Sequence, residues 1–143
     1  MTGHVFTVEF RIFSGTLDPE AITNELGLQP CQMRRQGDLR ADGKVFTGMW
    51  AYSGYQKEDG PDWDSLEEGL VFVLDKLWPH KQVIASYQSK AELILWCGHF
   101  QTSFDGGPHL SAALLSRLGE FGADLFIDNY FCERADQPRA NRS

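Results

Sequence analysis

No part of this chain stays apolar for long. The longest uninterrupted hydrophobic runs, 70–74 and 93–97, are five residues each, whereas a membrane-spanning helix needs about 20. The opening residues, Met1-Thr2-Gly3-His4-Val5-Phe6-Thr7, lack a basic stretch followed by an apolar one, so no secretory signal is read there. Cysteine is scarce and odd in number. Cys31, Cys97 and Cys132 show no CxxC spacing, which argues against a disulfide scaffold or a common zinc framework. These absences predict a cytoplasmic protein with reduced thiols and no membrane association. Basic residues are the minority, 13 Lys and Arg against 20 Asp and Glu, for a formal charge of -7. Affinity for a phosphate backbone comes largely from clustered cations, so nucleic acid is not an expected partner. The P-loop spacing, a paired-carboxylate motif and a catalytic triad are missing as well.

What is present suits a packed core: 143 residues, 42% of them hydrophobic and 23% charged. A single α+β domain is expected over residues 1–132, with a polar tail at 133–143 that lacks hydrophobic periodicity. Residues 4–14 alternate, with Phe6, Val8, Phe10 and Ile12 on one face, and predict a half-buried strand. Asp18 as N-cap, Pro19 at the first helical position and Gly27 as the stop bracket a short helix. A short edge strand is expected near 30–36 and another strand over 45–53, with Gly48 marking a bulge. Ser65-Leu66-Glu67-Glu68 reads as a capping box, with the Glu68 side chain returning to the cap amide. The stripe Leu66, Leu70, Val73, Leu74 and Leu77 then predicts the longest helix, closed by Pro79, with a further helical turn near 83–87. A strand over 91–101, a helix capped by Ser111 and ended by Gly122, and a last strand over 125–131 complete the order. Burying these stripes predicts a two-layer α+β sandwich. Its four- to five-stranded sheet is mostly antiparallel or mixed, with about three helices on one face and the other face more open.

Several of these residues form a larger string. Phe10-x-Ile12, Leu17-Asp18-Pro19-Glu20-x-Ile22-Thr23-x-x-Leu26-Gly27-Leu28-x-Pro30, Gly37-Asp38 and Trp50-x-x-Ser53 make its first half, and Leu114–Gly119 with Ile127-Asp128-x-Tyr130 its second. Together they resemble the bacterial family of domain of unknown function 4279, over roughly residues 5–131. The helix start Asp-Pro-Glu with Leu-Gly-Leu-x-Pro is the most specific part. The family pattern carries Thr after Pro30, where this chain has Cys31. The resemblance implies one α+β domain of bacterial origin and assigns no catalytic residues.

Candidate chemistry is sparse. Cys97 and His99 share a strand face, but a lone CxH pair lacks the second closely spaced pair of a structural zinc site. Packing is the expected role of Cys97, and no metal or cofactor is called for. Asp105-Gly106-Gly107-Pro108-His109-Leu110-Ser111 leads into a helix start, for which a Ser111 cap is sufficient explanation. The charge distribution is more pointed. Residues 58–75 hold seven acids and no base, while the rest of the chain holds 13 acids and 13 bases. Glu58, Asp59, Asp62 and Asp64 are therefore the expected contact residues for a basic protein partner, and an immunity-type role against a nuclease toxin fits the size and charge. The second reading is a small-ligand binder or enzyme using Arg34, Arg35 and Trp50 with the open sheet face. The missing catalytic motifs favour binding over catalysis.

Overall fold

The computed structural model describes residues 3–45, 47–55 and 61–132. Its spine is β1 (His4–Ser14), central in a five-stranded sheet. The other strands are β2 (Gln32–Arg34), β3 (Gly48–Tyr52), β4 (Glu92–Gln101) and β5 (Asp124–Phe131), in the spatial order β2-β3-β1-β4-β5. Every neighbouring pair is antiparallel except β4 and β5. Parallel strands need a crossover rather than a hairpin. Helix α4 (Ala112–Phe121) supplies it.

Register decides which face each strand buries. Ile12 lies opposite Trp50 and Leu93, Phe10 opposite Tyr52 and Leu95, and Val8 opposite Cys97. Directly opposed side chains share a face, so these residues form one apolar layer. Helices α1 (Pro19–Leu26), α2 (Leu66–Leu77) and α4 pack on that layer through residues such as Ile22, Leu70, Leu74, Leu114 and Phe121. The result is the two-layer α+β arrangement expected, with a mixed sheet. No helix among the described residues is long and apolar enough to cross a membrane.

The helix starts follow their local signals. Asp18 Oδ1 accepts from the Glu20 amide at 3.2 Å, and Pro19 sits at the first helical position, where a missing N–H costs nothing. Ser65 Oγ accepts from the Glu68 amide at 3.3 Å, and Ser111 Oγ from the Leu114 amide at 3.1 Å. Gly27 and Gly122 end α1 and α4 at φ 69° and 89°, a left-handed conformation that side chains resist.

Three local expectations change. The long helix α2 ends at Leu77, just before Pro79, but the turn expected near 83–87 comes earlier: a 3-10 turn spans Trp78–His80, and a short helix α3 (Lys81–Ala85) follows. Proline at the start of a turn leaves no bond unmade, so the chain bends there and continues. The third strand is shorter than 45–53, because Val45 instead bridges Leu39 within the preceding loop. Gly48 serves close approach: a Cβ there would lie 2.5 Å from the Ser14 carbonyl oxygen. The segment 133–143 lies outside the described residues.

Candidate binding site

The N-terminus of α2 and the loop 104–111 before α4 enclose a cleft of about 420 Å³. Asp64, Ser65, Glu67 and Glu68 form one wall, Gly107, Pro108 and His109 the other, and the Phe6 ring is the apolar contribution from the sheet. Both walls are helix starts, where free amides and the macrodipole favour carboxylates. Glu67 uses this across elements: its Oε1 accepts the Ser111 backbone N–H at 2.6 Å, tying α2 to α4. The capping box at α2 is one-sided. Ser65 caps the Glu68 amide, the one cap bond formed between the two residues, and Glu68 also lines the cleft. Asp62 and Asp64 are exposed just before α2. Glu58 and Asp59 lie outside the described residues.

Behind the cleft runs a buried imidazole chain. The Phe6 ring stacks on His99 with centroids 4.6 Å apart. His99 Nε2 lies 2.8 Å from His4 Nδ1, and His4 Nε2 lies 2.7 Å from the Asp105 carbonyl oxygen. A carbonyl only accepts, so His4 Nε2 carries a proton, and the tautomers of the two rings set which of them donates across the His4–His99 contact. His99 Nδ1 faces Asn129 Oδ1 at 2.8 Å, which suits a proton on Nδ1. Burial is the largest influence on His99 and lowers its pKa below the ordinary 6.5, with the His4 charge acting in the same direction and the Asn129 bond opposing both.

Cys97 shares the helix-covered face with His99 and is fully buried. Burial pushes its thiol up to about 12, which leaves it protonated at neutral pH and poorly suited to nucleophilic attack. Among the described residues no group of three His, Cys, Asp or Glu side chains is arranged to hold a metal ion.

The second expected site does not assemble. Trp50 is fully buried on the helix-covered face, where its Nε1–H donates to Thr23 Oγ1 at 2.9 Å. Pairing with Ile12 fixes that face, so Trp50 is core rather than a ligand platform. Arg35 pairs with Glu20 of α1, and Arg34 lies opposite Met49 on the other side of the sheet. Missing from the sequence reading was the polar row on the uncovered face. Glu9 Oε1 accepts from Arg11 Nε at 2.8 Å and from Gln32 Nε2 at 2.9 Å, and the Arg11 guanidinium lies 4.4 Å from the Trp96 ring centroid. The alternation of Glu9 and Arg11 with apolar residues was its available signal. His4 and His99, 95 residues apart, offered none.

Together these elements define an α+β protein with an open mixed sheet, helices on one face only, and an acidic cleft at two helix starts. The family described as Domain of unknown function (DUF4279) matches residues 4–132, and the chain belongs to it. No curated protein and no solved structure gives a significant match.

Proposed function

We propose that this domain is a non-enzymatic binding module that receives a basic protein partner at the acidic cleft. The observation that carries the reading is the placement of Asp64, Glu67 and Glu68 along one wall of a cleft with an apolar floor at Phe6. A lysine or arginine side chain suits such a place, with its stem against the ring and its head toward the carboxylates. The acid-only run 58–75 extends the same field beyond the cleft and would speed encounter with a cationic surface. A basic nuclease toxin, neutralised by an immunity-like function, is one partner class of this chemistry. A small-ligand reading draws its support from the uncovered face, where Arg11 lies over Trp96 and Arg34 lies on the same side.

A lysine-rich peptide followed by fluorescence anisotropy tests the cleft. Asp64→Asn with Glu68→Gln should weaken binding at low salt several-fold. Glu92→Gln with Asp124→Asn, which removes the same charge from exposed positions on the other face, should weaken it much less. Equal losses from the two pairs would reduce the cleft to a share of the overall charge and defeat the reading.

A further inference from the structure

Two imidazoles offer four ring nitrogens, and their surroundings fix how many protons the buried pair can hold. His4 Nε2 faces the Asp105 carbonyl oxygen and His99 Nδ1 faces Asn129 Oδ1, so each outer contact takes one proton. The central contact, His4 Nδ1 to His99 Nε2 at 2.8 Å, takes one more, from either ring. The intact chain therefore holds three protons and one positive charge, on residues only 8% and 4% exposed. A fourth proton would set N–H against N–H and leave two charged rings with centroids 5.1 Å apart. The same chain anchors a loop. Residues 104–109 are all exposed. Asp105 N–H donates locally to Ser103 Oγ at 3.0 Å, whereas the bond from His4 Nε2 to the Asp105 carbonyl ties this loop to the sheet, alongside the Phe104–Phe131 ring stack.

We propose that the His4–His99 pair is a proton-operated latch on loop 104–110: one shared proton holds it closed, and a second proton at acid pH releases it. His4 is the ring that leaves. It stands at the first residue of β1, whereas His99 lies within β4, between β1 and β5, with the Phe6 ring stacked on it. When His4 swings away, its bond to the Asp105 carbonyl goes with it. The groups around the pair leave the control to the two rings. Cys97 on the same face keeps its proton, and Asn129 from β5 is neutral. Asp128 and Tyr130 flank Asn129 and lie on the opposite face of the sheet. Asp105 turns its main-chain oxygen to His4. Asp64, Glu67, Glu68 and His109 line the cleft with Phe6. Burial first, and then the charge of His4, hold His99 back from protonation against the opposing Asn129 bond. Because the loop is one wall of the cleft, its release reshapes that cleft; the latch itself does not depend on what the cleft receives.

The test is nuclear magnetic resonance on the full chain from neutral to acid pH. Imidazole 1H–15N spectra read the protons on each ring, and backbone relaxation reads the loop. The loop amides should shift with the same midpoint as the step that brings the second proton to the pair. Their order parameters should fall across that step from about 0.85, typical of rigid backbone, to below about 0.6. His99→Gln gives His4 an amide that does not titrate, so its loop should stay ordered over the same range. His4→Phe removes the tie and should leave the loop mobile already at neutral pH. A His99 ring that titrates while the loop amides hold still overturns the proposal, as does one that stays neutral until the whole chain unfolds. A loop that still lets go in acid in the His99→Gln protein overturns it too. Where a variant does not fold, the ring and loop midpoints of wild type decide alone.

Discussion

Replacing Gly69 with alanine sets two known effects against each other. In a helix interior alanine is favoured over glycine by about 1 kcal/mol, so propensity alone predicts stabilisation. The new methyl, however, would lie 2.8 Å from both Trp63 Cδ1 and Val8 Cγ2. Ordinary carbon contacts fall at about 3.5–4.0 Å, so both neighbours would have to retreat. Neither is free to do so. Val8 belongs to the central strand, and the Trp63 backbone is clamped to Phe6 by reciprocal hydrogen bonds of 2.8 and 2.7 Å. Overpacking of this kind costs about 1–3 kcal/mol, which outweighs the propensity gain and leaves a net loss of about 1 kcal/mol. Gly119 in α4 is the control. It is exposed, helical, and has nothing within 4 Å of an added Cβ. Gly119→Ala should therefore keep the full gain of about 1 kcal/mol. Urea unfolding followed by tryptophan fluorescence measures both, and the two alanines should move the midpoint in opposite directions. A Gly69→Ala protein as stable as the Gly119→Ala protein would mean that α2 does not approach β1 this closely.

Two further expectations concern titration and reactivity. Because the folded state holds the pKa of His99 below 6.5, the unfolded chain binds the proton more readily. Stability from the neutral ring is therefore present above about pH 6.5 and is lost as pH falls through the lowered native value. Urea midpoints measured from neutral to acidic pH should decline, and His99→Gln should flatten that decline; an unchanged slope would count against it. Cys97 and Cys31 are both pushed up to about 12, Cys97 by burial and Cys31 by burial first and then by the Glu9 carboxylate. Iodoacetamide should label neither quickly in native protein at pH 8 and both after unfolding, as read by peptide mass spectrometry; rapid native labelling of Cys97 would contradict its placement.

What could be read from the sequence was what short-range chemistry controls. Asp18, Ser65 and Ser111 announce helix starts because a side-chain oxygen meets an amide two or three residues on. The alternation of β1 was legible for the same reason, since the period belongs to the strand itself. The face assignment of β3 was not. Trp50 and Tyr52 alternate with Met49 and Ala51, and either pair could have met the helices; only pairing with Ile12 and Phe10 decides it. Pro79 was legible as the stop of α2, whereas the 3-10 turn that starts beside it was not, because the local rule against proline in a helix does not bar a fresh turn.

The acidic run shows why a charge pattern underdetermines a site. Asp75 pairs with Arg117 of α4 at 2.6 Å, and Glu67 caps the same helix through the Ser111 amide, so two of the acids hold α2 against its neighbour. Both contacts span more than 40 residues and leave no trace in local spacing. Their consequences for the field differ. Asp75 is paired with a cation, whereas Glu67 gives its oxygen to a neutral amide. Negative potential therefore concentrates at the start of α2, beside Asp64 and Glu68, rather than spreading evenly along the segment. The basic partner proposed above is thus expected to meet the start of α2 rather than its far end.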